Sequence, residues 1–199
     1  MREIEGGVTA ARGYQAAGIF AGIKKDRKDM AMVYSQAPCY AAGTFTTNLV
    51  KAAPVKWDQR LVRECRTARA IVVNSGVANA CTGREGEGYC EETAQAAAQA
   101  LGVQKEEVLV ASTGVIGVQL PIERLKKGVS TMAPLLSESS AAASQAAEAI
   151  MTTDTVKKEA AVCVELGGKT VTVGGMCKGS GMIHPNMCTM LSFVTTDAA

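Results

Sequence analysis

Aromatic side chains are scarce in this sequence: one Trp, four Tyr and three Phe make up 4% of 199 residues. That is too few for the stacking platforms that hold nucleic-acid bases. Charge of one sign is also lacking, since 21 Lys and Arg stand against 19 Asp and Glu, and a net charge of +2 leaves no footprint for a polyanion. There is a single histidine, His184, too little for a triad, and it receives no catalytic role. The seven cysteines, at 39, 65, 81, 90, 163, 177 and 188, are odd in number and show neither CxxC nor Cys/His zinc spacing, so a reduced protein without a metal is expected. No apolar run reaches membrane-spanning length, and the first residues lack the basic start and apolar core of a secretory signal, which places the chain in the cytoplasm. No repeat and no Pro-rich or Ser/Gly-rich linker divides it, so one continuous domain is expected. Alanine and glycine are plentiful instead, a composition suited to close helix-on-sheet packing and to a soluble α/β or α+β fold.

Local signals alternate between strand and helix. Residues 6–48 are rich in glycine and turn residues, which predicts short strands, one of them over 30–34. The run 68–74 predicts a buried strand ending in a tight turn at Asn74-Ser75-Gly76. Residues 91–101 carry acids first, good helix formers throughout and Gly102 just beyond, the polarity of a helix. A strand over 107–111 then runs into Ser112-Thr113-Gly114-Val115-Ile116-Gly117, a junction of strand and glycine loop. Pro121 opens a helix over 121–132, and the alanine-rich stretch 137–151 with its capping serines predicts another. Residues 161–166 and 169–173 alternate about Gly167-Gly168, a pair preferred by two-residue hairpin turns.

The most informative segment is 174–199, GGMCKGSGMIHPNMCTMLSFVTTDAA, where polarity changes abruptly at Thr189. Lys178-Gly179-Ser180-Gly181 lacks the GxxxxGK[ST] order of a phosphate loop. Taken as a whole, however, KGSGMIxPNMxTML resembles the self-processing signature of the ornithine acetyltransferase family of arginine biosynthesis. The likeness continues through Thr46-Thr47-Asn48, Lys51-Ala52-Ala53-Pro54-Val55, Val73-Asn74-Ser75-Gly76, residues 112–117 and Ile150-Met151-Thr152-Thr153-Asp154, in family order.

That resemblance implies a layered αββα sandwich of the N-terminal-nucleophile type, with connections of its own. It implies cleavage of a precursor between Cys188 and Thr189, by an N-to-O acyl shift that needs strain and oxyanion donors. Residues 1–188 would form an alpha chain and 189–199 the first strand of a beta chain, the two staying together in an alpha2beta2 heterotetramer. Freed Thr189 would supply the nucleophilic hydroxyl and, through an α-amino group with a pKa of about 8, its own base. In the family's ping-pong cycle this threonine takes acetyl from N-acetylornithine and passes it to glutamate, without a cofactor. Some members also accept acetyl-coenzyme A as donor, making them amino-acid N-acetyltransferases besides glutamate N-acetyltransferases. By the same resemblance the Thr113 hydroxyl and Gly114 amide form the oxyanion hole, and Thr152, Lys178 and Thr189 contact substrate. Lys178 would meet the α-carboxylate shared by both substrates.

Each residue also has a plainer reading: Thr113-Gly114 as a turn after a strand, Lys178 as a solvated lysine, Thr152 as a helix end. Two departures from the family stand out. Cys188 occupies a position that is usually alanine, and the sequence ends ten residues after Thr189. The latter suggests a fragment with weak or no activity of its own, in which residues 190–196 form a strand beside those of the first half. Two rivals remain, an amidase or aminopeptidase that passes its acyl group to water, and a non-catalytic small-molecule-binding domain.

Overall fold

A helix begins at Ala53, inside the Lys51-Ala52-Ala53-Pro54-Val55 motif. In the structure, a computed structural model that describes residues 1–65, 67–181, 183, 187 and 190–198, the order is β1 (Arg2–Ile4), β2 (Tyr14–Ile19), β3 (Met30–Tyr40), α1 (Ala53–Glu64), β4 (Thr67–Val77) and α2 (Gly83–Leu101). There follow β5 (Val108–Val115), α3 (Ile122–Met132), α4 (Ser140–Ala149), β6 (Lys158–Leu166), β7 (Lys169–Lys178) and β8 (Leu191–Thr196). Pro54 lies in the first turn of α1, where its missing N–H is harmless, and Ala53, Trp57 and Leu61 fall on one buried stripe.

Two four-stranded sheets form, β1-β6-β7-β8 and β2-β3-β4-β5. Every pairing is antiparallel except β4 with β5, which α2 joins as a crossover. Alternation along the strands assigns the faces. Met30 and Met32 of β3, Val72 of β4 and Val108 and Val110 of β5 pack with Trp57, Leu61, Ala94, Leu125 and Val129 of α1, α2 and α3. The opposite residues Ala31, Val33, Val73 and Ala111 pack on α4 and on Met176, Leu191 and Phe193 of the other sheet. The layers are therefore helices, sheet, then α4 beside the second sheet, a mixed α+β sandwich. No helix among the described residues is long and apolar enough to cross a membrane.

Several expectations hold with changed limits. The hairpin of β6 and β7 turns at Gly167 and Gly168, with φ of 58° and 77° that suit two glycines. Ser139 caps α4, accepting the Ala142 amide at 3.2 Å. The strand after position 189 lies beside those of the first half, as expected, and pairs antiparallel with β7. By contrast β3 is long, and α2 starts at Gly83, eight residues ahead of its sequence prediction at 91. Gly83, Gly86 and Gly88 hide this start because glycine disfavours helices, yet a Cβ on Gly86 would overlap Thr82 and Asn79. Nor is Asn74-Ser75-Gly76 a turn: it stays inside β4, hydrogen-bonded alongside β5.

Asp58 on α1 fixes the start of β5 by accepting the Val110 amide at 2.9 Å, beside Trp57, whose indole N–H donates to Val108 O at 2.9 Å. Burial pushes the Asp58 carboxyl up to about 8, and the Val110 amide only partly opposes it. Between the unfolded value of about 4 and this folded value, the native state keeps a proton that the unfolded chain releases, so stability falls as pH rises. Asp58→Asn keeps the acceptor and removes the ionisation. Thermal melts at about pH 5 and about pH 8 are expected to show a smaller decline for the variant than for the wild type. Equal declines would mean that Asp58 is ionised in the folded protein.

Candidate functional site

The parallel ladder of β4 and β5 brings Ser75 opposite Thr113 and Gly76 opposite Gly114. Gly76 and Gly114 have φ of 116° and 137°, where side chains are rarely accommodated. A Cβ on Gly114 would also sit 2.6 Å from the Val77 nitrogen and overlap the Gly76 carbonyl. Below the glycines, Asn74 accepts the Ser112 hydroxyl at 2.6 Å and donates to Val77 O at 2.8 Å, which holds the two strand ends together. Thr113-Gly114 is therefore not a turn after the strand but part of β5 itself, with Thr113 only 4% exposed and Gly114 half-buried.

Lys178, at the end of β7, is 3% exposed and donates to Thr113 Oγ1 at 3.2 Å. The solvated-lysine reading is corrected by this burial, which the strand alternation produces: Thr172, Gly174, Met176 and Lys178 all face inward. Burial lowers the Lys178 pKa, the Asp154 carboxylate pulls it up again, and Lys158 pushes it down. Because Thr113 Oγ1 accepts from Lys178, its own O–H is the group left to donate, and the adjacent cation strengthens it as a donor.

Asp154 joins the remaining parts. One of its oxygens accepts Gly179 N at 2.8 Å and Lys158 Nζ at 2.5 Å, and the other accepts Thr152 N at 3.2 Å. Burial would raise the Asp154 carboxyl, but the Lys158 hydrogen bond and the Gly179 and Thr152 amides outweigh it and hold it well below the usual carboxylate range. Thr152, two residues past the end of cap Ile150 on α4, is thereby tied to the Lys178-Gly179 step. Thr153 and Ser180 add a hydroxyl pair at 2.9 Å.

Of the residues singled out in the sequence, Thr113, Gly114, Thr152 and Lys178 thus fall in one connected network. Cys188 and Thr189 lie outside the described residues, as does His184. Their described neighbours Met187 and Met190 line a cavity of about 610 Å³ together with Thr113 and Gly114. Asp154, Asn74 and Ser112 are the parts that sequence reasoning left without a role, although all three stood in quoted motifs. An acid or amide inside an otherwise apolar or small-residue stretch was the available signal, because such groups are buried only with partners. The described cysteines are all free thiols, and burial pushes Cys90 upward, away from thiolate reactivity.

Comparison with known proteins agrees with the fold and the motifs. The chain is 54% identical over 197 residues to the arginine biosynthesis bifunctional protein ArgJ of Gloeobacter violaceus, covering 98% of this chain and 48% of that protein. It is 55% identical over 202 residues to the one of Symbiobacterium thermophilum, covering 100% and 50%. The chain therefore spans about half the length of these curated relatives. Among solved structures, the ornithine acetyltransferase of Mycobacterium tuberculosis, in complex with ornithine, superposes with a TM-score of 0.86 at 42% identity, covering 96% of this chain and 99% of that one. The bifunctional ArgJ protein of Bacillus halodurans gives 0.87 at 39%, covering 95% and 98%. A likeness of fold alone, at 12% identity and a TM-score of 0.52, extends to an L-aminopeptidase D-Ala-esterase/amidase of Ochrobactrum anthropi, a variant of the Ntn hydrolase fold, covering 89% of this chain and 53% of that one. With the ArgJ family model matching residues 15–199, this chain belongs to the ArgJ family.

Proposed function

We propose that this chain supplies the front half of an acetyltransferase that moves acetyl from N-acetylornithine to glutamate through Thr189, freed by scission after Cys188. The observation that carries the proposal is the shared cavity: Thr113 and Gly114 line it together with Met187 and Met190, which flank the scissile pair. A tetrahedral intermediate formed on Thr189 needs donors beside it, and the Thr113 hydroxyl and Gly114 amide fill that role. Each such donor is worth about 3 to 4 kcal/mol of barrier. Lys178, buried beside them, pairs with the substrate α-carboxylate in a charge-assisted contact. Thr152 is held at the same place by Asp154. Acetyl goes from the donor nitrogen to Thr189 Oγ as ornithine leaves with the hydroxyl proton, and in the second half-cycle from Oγ to the glutamate amine, whose proton returns to Oγ. No cofactor enters, and acetyl-coenzyme A would serve as a further donor only if the second activity is kept.

Chain lengths support scission: the two solved relatives are almost fully covered by this chain, whereas the curated ones are about twice as long. The outer face of the first sheet supports a complementary beta chain packed upon it. There Val162 pairs with Val173 and Val164 with Val171, and Val194 is 65% exposed. The assembly would be alpha2beta2 and cytoplasmic. Incubating the full-length protein with N-acetylornithine, with and without glutamate, tests the reaction. Acetylglutamate is expected to form in step with ornithine, and equal ornithine release without glutamate would favour the amidase instead.

A further inference from the structure

The loop between β2 and β3, residues 20–29, has no part in the chemistry proposed above, yet it is braced by hydrogen bonds close to the site. Asp29 is fully buried, and its carboxylate accepts three amides of its own loop: Ala21 at 2.6 Å, Ile23 at 2.6 Å and Lys24 at 2.8 Å. Its carbonyl accepts Ser75 N at 2.8 Å, which fastens the loop to β4 one residue before Gly76. A Cβ on Gly76 would meet Ile23 Cγ2 at 2.9 Å and Lys24 Cγ at 3.3 Å, so the loop lies directly against the paired glycines.

From this braced loop, two cations reach the same target. Lys24 Nζ donates to Met151 O at 2.7 Å, and an Arg27 guanidinium nitrogen donates to Thr152 O at 2.7 Å. Lys28 adds a pair with Glu148 at 2.8 Å, so the loop grips the end of α4 and the segment after it. Those carbonyls lie at the negative end of the helix, where cations bind favourably. Thr152 is thus held from both sides, its amide by Asp154 and its carbonyl by Arg27.

We propose that the 20–29 loop is the positioning device for the substrate-binding segment, with Asp29 bracing it and Lys24 and Arg27 setting the place of Met151 and Thr152. Burial and the neighbouring Arg27 bring the Lys24 pKa down to about 8, while Asp29 and Glu148 pull it up. Lys24 and Arg27 are positioning residues. They act through the 151–152 backbone and touch no reacting atom.

The inference rests on the acetyl-transfer reading for its kinetic consequence but not for its structural one, and two readouts separate them. In the full-length protein, Lys24→Met and Arg27→Ala are each expected to raise the KM for N-acetylornithine by about tenfold, the effect of losing one charged hydrogen bond, with kcat changed by less than about twofold. Lys24→Arg is expected to restore most of the loss. Hydrogen exchange of the 151–154 amides, read by mass spectrometry, is expected to quicken by about tenfold in both variants while the amides of β4 and β5 stay as in the wild type. Unchanged exchange at 151–154 overturns the proposal whether or not the protein turns over N-acetylornithine. So does an unchanged KM in an active enzyme, or a loss that falls on kcat alone. Absence of turnover in the wild type would instead count against the acetyl-transfer reading, with the exchange result still deciding this one.

Discussion

Thr189→Ala in the full-length protein is expected to leave one uncleaved polypeptide with no measurable acetyl transfer. Alanine removes the hydroxyl that would attack the Cys188 carbonyl, so no ester forms and no peptide bond breaks. Without scission there is no α-amino group at 189, and without the hydroxyl there is no acceptor for acetyl, so both activities vanish by one change. Thr189→Ser keeps a hydroxyl and should keep both at reduced rate. The check is an intact-mass measurement after prolonged incubation, paired with an assay for acetylglutamate. An alanine variant that still splits at 188–189 would show that another group attacks that bond.

The second large effect is expected at the end of β5. Thr113→Ala removes one oxyanion donor, and kcat should fall by about 10²- to 10³-fold with a much smaller change in KM, because the contact forms only in the transition state. Thr113→Ser keeps the hydroxyl that Lys178 polarises and should recover much of the rate. Gly114→Ala is the harsher change. Its φ of 137° and the 2.6 Å approach to Val77 N force the β4–β5 ladder apart, so loss of folded protein should accompany loss of activity. Circular dichroism melts beside the kinetics separate the two cases: Thr113→Ala should melt near the wild type, and Gly114→Ala well below it. A Thr113→Ala enzyme with wild-type kcat would remove that hydroxyl from the mechanism.

Much of this is legible in the sequence. The hairpin at Gly167-Gly168 and the capped helix α4 are local, and local chemistry announced them. The motifs pointed to Thr113, Gly114, Thr152 and Lys178 through resemblance, which carries spatial information that spacing cannot. What remained hidden depends on the tertiary fold. The start of α2 at Gly83 needs Asn79 and Thr82 around Gly86, where Asn79 Nδ2 donates to Gly86 O at 2.8 Å. Burial of Lys178 needs the second sheet to stack on the first, and no rule of composition would put an ammonium there. Asp154 and Asp29 had no role in the sequence reading; the folded chain shows Asp154 collecting the Thr152 and Gly179 amides from two separate segments, and Asp29 collecting three amides of its own loop.

The most direct test is the mass of the peptide that begins at Thr189, isolated from processed full-length protein mixed with N-acetylornithine and no acceptor. It is expected to gain the mass of one acetyl group, held on the threonine and lost when glutamate is added. A peptide that stays unacetylated while ornithine is released, or an acetyl group found on any other residue, would contradict the account.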